Sequence, residues 1–574
     1  MSNFTPDSFV LEHSKYSTSG NSPFTEKKVV YQNDLNNSSY SSNQLQFDLQ
    51  SLASNGSYID WSAGHLVVPM VLRLTRLNTI AGFDALDVPF AVGLKNDYST
   101  IISSIQITIQ NTTISQQTSY MPCLWVARKM LSWSSSYVEK VGASYGFVPD
   151  TTDSVGIAGA YTGVASPFGT GIINNYNLPQ FASQLSPQTA YSVGQTNFGF
   201  YTRQKLTTAF NPNTSSISLF QTEANFTTAG LNYYKNVGDS KLWFIYGQIP
   251  LKDLHPFFAE VPLCKGLYTR LQMQTNQCFH NLRLTIAGGA LTSTQITSSN
   301  VPTICPFMIS NMSQTENGFK PITALCIAEG DGTYDFEVAL SIGNDGFGNK
   351  ATKTQVPSLS QCRIYVPTYR FKPEEESLYL SNNSFKKITY SDYSLYQYPI
   401  TVSNGVGNFN QVISNGTSNL VRLWMLPYAS NTFLSNGGNA QTEYASPFSC
   451  APGTVAPWVQ FANFNVMISG KTIFNQNVNY GWEQFLYETK GNLSLNAGED
   501  SMLTSGLVSQ ADWSRSPWVC IDISRRLEGD KSAPKQVQVE FSALTTLSQL
   551  NILFFVEYGK EISLSVLTGE IADV

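Results

Sequence analysis

The second half of this sequence restates the first. Residues 104–117 carry Ile105, Ile107 and Ile109 in alternation with polar residues, turn at a short polar pair, and resume with Thr113 and Ile114. Residues 463–476 repeat the pattern with Phe464, Val466 and Ile468, then Thr472 and Ile473, at a constant offset. Alternation of this kind marks a half-buried strand, and the turn makes each copy a hairpin. An aromatic, helix-like stretch follows each hairpin, at residues 124–130 and 481–487. A third correspondence pairs 270–274 with 536–540, with roughly ninety more residues between hairpin and late strand in the first half. Two copies of one β unit, fused in tandem, account for this order.

A length of 574 residues accommodates two large β domains. Only 13% of residues are charged and 13% are aromatic, while Ser, Thr, Asn, Gln and Gly abound, the composition of an all-β protein with long neutral loops. The 34 basic and 40 acidic side chains leave no basic stripe, so direct sequence-specific nucleic-acid binding has no electrostatic basis. No apolar run reaches the length of a bilayer span, and the longest, 550–558, is strand-length. The first residues contain neither a basic region nor an apolar stretch, so the expectation is synthesis and retention inside the cell. Cys123, Cys264, Cys278, Cys305, Cys326, Cys362, Cys450 and Cys520 sit mostly in apolar segments and are expected to be free thiols.

Along the chain, residues 1–45 read as a polar, flexible arm, 46–290 as a first domain with a long loop insertion at about 140–240, and 301–574 as a second. A Thr/Ser-rich link is expected at 290–301, with 361–366 among the strands of the second domain. Many short strands between Gly, Pro and Asn turns point to antiparallel sandwiches. Two tandem eight-stranded jelly rolls, with long loops and short helices, fit, although pattern alone leaves other sandwich topologies open.

The chemistry-bearing residues do not converge on a reaction. His13, His65, His255 and His280 read as structural. Cys264, Cys278 and His280 are a partial zinc set, but their spacing lacks the close ligand pairs of known modules. Asp331 to Asp335 reads as a tight turn rather than a calcium loop. Glu374, Glu375 and Glu376 read as a solvated helix start rather than paired glycosidase carboxylates. Tyr233, Tyr234, Tyr393, Tyr396 and Tyr398 are candidates for a sugar-binding surface, with loop and interface packing the commoner use. The expectation is a non-enzymatic protein with no catalytic, cofactor or metal residues.

The segments 41–47, 249–258, 363–367 with Tyr369, 465–471, 522–525 and 554–558, in that order, resemble the double jelly-roll major capsid proteins of virophages and Polinton-like DNA viruses, which are related in fold to hexons. The likeness is thinnest at 140–240. It implies a structural protein that forms a homotrimer, a pseudo-hexameric capsomer tiling an icosahedral capsid. It also implies contacts with neighbouring capsomers and with penton and minor or cement proteins, and a place in the virion after assembly inside the infected host cell. The competing class is a carbohydrate-binding β-sandwich, a lectin or adhesin.

Overall fold

The computed structural model describes residues 22–53, 56–77, 91–149, 234–237, 240–287, 290–310, 312–315, 318–321, 332–343, 361–381, 385–429, 444–445, 447, 459–490, 507–508, 510–515, 517–524, 532–545 and 549–572. Within them the chain forms antiparallel sheets with few, short helices.

The second half is the simpler unit. Eight strands make up its sandwich: Phe385–Thr401, Val406–Thr417, Leu420–Ala429, Gln460–Ile468, Lys471–Thr472, Val519–Asp522, Lys535–Leu544 and Gln549–Ser565, with the short Val478–Tyr480 and Ile571–Ala572 added at the edges. Numbered in chain order, the eight lie as 1-8-3-6 in one sheet and 2-7-4-5 in the other. That is a jelly roll, in which successive strands cross between the sheets except at the hairpin of the fourth and fifth, and the last returns beside the first. The sequence dictates the faces. In Lys535–Leu544 buried and half-buried positions alternate without a break, so Val537, Val539 and Phe541 all point inward. Phe541 stacks on Phe409 at 5.0 Å and meets Phe461 edge-on at 5.4 Å, tying the second, seventh and fourth strands into one aromatic core.

The first half repeats the order. Its strands are Phe24–Asn33, Gln44–Asp48, His65–Arg76, Ile102–Ile109, Thr112–Gln116, Ser240–Pro250 and Thr269–Thr275, with an eighth in two pieces, Gly332–Ile342 and Arg363–Phe371. The second, seventh, fourth and fifth form one sheet. In the other sheet the third strand pairs with the sixth along one edge. Its other edge is shared, with Gly332–Ile342 against residues 70–76 and Arg363–Phe371 against 65–67. The first strand then pairs with Arg363–Phe371. A hairpin, Cys278–Ala287 with Ala290–Asn300, flanks the other piece of the split strand.

The repeat seen in the sequence therefore falls on equivalent elements. The two hairpins are the fourth and fifth strands of each roll, the aromatic stretches lie in the helices Met121–Ser132 and Trp482–Lys490, and the third match is the seventh strand of each roll. Even the turns agree. Ser469 and Gly470 both hold positive φ, of 49° and 79°, as a two-residue hairpin requires, and Gln110 and Asn111 do so in the first copy at 52° and 151°.

Three boundaries differ from those read in the sequence. Residues 24–33, read as part of a flexible arm, are the first strand of the first roll. Asp34 and the hydroxyl of Tyr40 anchor the continuation, both engaging the Cys362 amide. The expected link at 290–301 is a strand, and 361–366 belongs to the first roll, so the sheets part at the helix Pro373–Ser381 and not near residue 300. The cause is the hairpin inserted between the seventh and eighth strands, which delays closure of the first roll. The turn expected at 331–335 is instead the start of Gly332–Ile342, with Asp335 paired to Arg283. Residues 1–21 and most of the 140–240 insertion lie outside the described residues.

Truncating Phe541, which is 2% exposed, removes a ring from the centre of the second roll. Phe541→Ala is expected to destabilise that roll by about 3–5 kcal/mol, read as a lowered transition in denaturant unfolding followed by tryptophan fluorescence.

Candidate functional site

The most elaborate constellation of polar side chains lies where the two rolls meet. In Phe385–Thr401, Ile388, Tyr390 and Asp392 occupy the same inward phase, so the strand's alternation carries a carboxylate into the interior. Asp392 Oδ1 accepts from Ser115 Oγ at 2.8 Å, a residue of the first roll's fifth strand, and Oδ2 accepts from Lys560 Nζ at 2.7 Å. Lys560 also donates to the Ile114 carbonyl at 3.0 Å, as does the Tyr390 hydroxyl at 3.1 Å. One strand edge of the first roll is thus held by three side chains of the second.

His255 completes the cluster. Its Nδ1 accepts the Phe257 amide at 3.1 Å, which leaves Nε2 as the protonated nitrogen facing Asp392 Oδ1 at 3.5 Å. Burial holds the imidazole below its usual pKa despite Asp392, with Arg128 and Lys560 adding to the effect. It is therefore neutral at pH 7, and Lys560 supplies the positive charge. Burial alone would raise the Asp392 pKa, but the hydrogen bond from His255 and the charge of Lys560 bring it well below the usual carboxylate range.

The same seam continues through the backbone. Lys265 N–H donates to the Val566 carbonyl at 2.7 Å, and Gln110 Nε2 to the Thr568 carbonyl at 3.3 Å. Gly266 and Gly569 cross here at positive φ, and a Cβ on Gly569 would lie 2.5 Å from the Gly266 carbonyl oxygen. Only glycine permits that approach. Glu376, from the acidic helix start, accepts from Lys265 at 2.5 Å and from the Tyr58 hydroxyl at 2.9 Å, and the Tyr379 hydroxyl reaches the Leu263 carbonyl at 2.8 Å. One hydrophobic cluster runs through both rolls. This arrangement locks two sandwiches into one body. Asp392, its oxygens occupied by Ser115, Lys560 and the Tyr393 amide, has no access to solvent as a base would need.

The residues singled out from sequence disperse. His65 stacks on Tyr365 at 5.3 Å, His13 and Tyr233 lie outside the described residues, and the side chain of Tyr234 is likewise not described. Tyr393 is buried, Tyr396 bonds Ser414, and Tyr398 bonds the Val412 carbonyl while packing on Phe409 and Phe554. These rings do not form an open platform for a sugar. Glu374, Glu375 and Glu376 do begin a helix, Pro373–Ser381. Six cysteines, Cys123, Cys264, Cys278, Cys305, Cys362 and Cys520, are buried free thiols, whereas Cys326 and Cys450 fall outside the described residues.

Of the partial zinc set, Cys278 and His280 do come together, but Cys264 does not join them. Cys264 bridges to Ile59 elsewhere, and Cys305 takes the third place. Cys278 Sγ, Cys305 Sγ and a His280 nitrogen lie within 4.8 Å of one another, all buried. Sequence spacing could not reveal Cys305, because strand pairing at a distance brings it in. Asp392 was also missed, although an acid in the inward phase of an alternating strand was the signal that marked it.

No family model and no curated protein sequence matches the chain. Among solved structures it is similar to a chain of the Sputnik virophage seen by cryo-EM, at 12% identity and a TM-score of 0.46, covering 96% of this chain and 88% of that one. It is also similar to the mavirus major capsid protein, at 9% identity and a TM-score of 0.42, covering 95% and 90%, and to the Faustovirus major capsid protein, at 9% and 0.42, covering 95% and 91%.

Removing the seam's carboxylate strands Lys560 and Ser115. Asp392→Ala is expected to cost about 3–5 kcal/mol, measured by chemical unfolding. The pH dependence follows from the signs of the shifts. A depressed folded-state pKa means stability that is complete above the unfolded value and lost as pH falls. Thermal stability should therefore decline below about pH 6.5 as His255 must charge, and again below about pH 3.9 as Asp392 is protonated. In His255→Asn the first decline should shrink to the part that His65, whose pKa burial also lowers, contributes, while the second remains.

Proposed function

We propose that this chain is a major capsid protein whose trimers tile an icosahedral DNA-virus shell. The observation that carries the reading is the tandem pair of jelly rolls with identical strand order, joined by a buried polar and glycine-lined seam. Two equivalent rolls per chain, repeated about a threefold axis, present six similar wedges around a centre, so a trimer has a pseudo-hexagonal outline. Such a tile packs with copies of itself on a flat face. A rigid connection between the rolls is what the geometry demands, because play between them would spoil the sixfold match. The ordered likeness of segments 41–47 to 554–558 to double jelly-roll capsid proteins supports the same reading.

The composition suits it. With 13% charged residues and a formal net charge of −6 over 574 residues, copies repel one another weakly at high density. Exposed apolar side chains such as Val29, Tyr31 and Tyr487, at 61%, 52% and 71% exposure, are suited to burial between neighbours. Function on this reading is assembly into the virion and involves no catalysis, with partners in neighbouring capsomers, penton and cement proteins. No helix among the described residues is long and apolar enough to cross a membrane.

Light scattering of the purified chain is expected to give three chain masses, and negative-stain images of the same peak hexagonal outlines. A particle without threefold symmetry, under conditions in which the chain is folded, would overturn the proposal.

A further inference from the structure

Cys278 and His280 stand two residues apart on the strand Cys278–Ala287, so both side chains project from the same face. Cys305 precedes the strand Phe307–Ser310, which pairs with Ala91–Leu94, and its amide donates to the Tyr444 carbonyl at 2.8 Å. The third ligand is thus fixed from a different part of the chain. His280 is fully buried, its ring edge-on to Phe307 at 5.5 Å, and its ring faces sulfur, with the Cys305 thiol in hydrogen-bonding reach. A buried imidazole whose polar neighbours are two reduced thiols brings together three donors suited to coordination.

We propose that Cys278, His280 and Cys305 bind a zinc ion that staples the inserted hairpin of the first roll to the segment leading into Phe307–Ser310. Two thiolates and an imidazole are the donors a borderline-soft divalent ion prefers, and with three protein ligands the fourth position is taken by a solvent molecule. Binding converts two thiols to thiolates and releases two protons per metal, leaving the centre neutral. The buried ammonium of Lys95 donates at 3.3 Å to the same Tyr444 carbonyl that accepts the Cys305 amide, so the segment carrying the third ligand is held at two points. The role assigned to it is to tie the hairpin to the Phe307–Ser310 segment, and the site stands independently of the capsid reading.

The test uses the full-length chain, purified under reducing conditions from zinc-supplemented cells without an affinity metal. Elemental analysis is expected to give one zinc per chain, and exchange for cobalt a thiolate-to-metal charge-transfer absorption. Cys305→Ser and His280→Gln should lose the metal, and Cys264→Ser, at a remote buried thiol, should keep it. A metal-free wild type with reduced cysteines, undiminished zinc in Cys305→Ser, or a Cys278–Cys305 disulfide in the peptide map would overturn the site. Should the variants fail to fold, the cobalt spectrum of the wild type decides alone, its charge-transfer band supporting the site and its absence refuting it.

Discussion

The architecture depends on a buried carboxylate. A charge inside a protein survives only when hydrogen bonds and an opposite charge replace the water it has lost. Asp392 meets that condition by drawing Ser115 from one roll and Lys560 from the other into a single cluster. Separating the rolls would leave the carboxylate without Ser115, and Lys560 and Tyr390 without the Ile114 carbonyl that both engage. Apolar contact resists separation but permits sliding, whereas this cluster fixes a register. Two sandwiches that share one hydrophobic core thereby acquire one relative placement.

The same economy recurs within each roll. Lys129, buried on the helix Met121–Ser132, is paired with Asp97 and lies 3.9 Å from Asp253, joining the helix to the turn at residues 98–101 and to the corner after Pro250. In the second roll Glu557 accepts from the Trp424 indole at 3.0 Å and faces Arg422 at 3.5 Å. Few charges are available in this sequence, and several of them are spent inside. The exposed charges that remain, such as Lys28, Arg270 and Lys387, are few for a chain of 574 residues and leave room for exposed apolar rings.

Much of the fold was legible because a strand with one buried face must alternate. The hairpin at 104–117 and its echo at 463–476, the matched strands at 270–274 and 536–540, and the helix opened by Glu374, Glu375 and Glu376 all declared themselves locally. The readings that failed concerned closure. Residues 24–33 looked like an arm because a polar edge strand has weak periodicity, and its docking on Arg363–Phe371 joins positions far apart in the chain. Residues 290–301 looked like a link because Thr and Ser serve strands and linkers alike. The candidate sites divide in the same way, since Cys278 and His280 were visible as a pair while Cys305 was not.

The sequence by itself determined the strands, their inward faces, the repeat of a β unit and the weakness of any case for catalysis, since each follows from side-chain period and composition. The tertiary structure alone decided which segment completes the first roll, which thiol joins Cys278 and His280, and that Asp392 would meet Ser115. Periodicity reports what a residue faces, inside or outside. The identity of the partner across the interior depends on the pairing of strands hundreds of residues apart, and no local pattern records it.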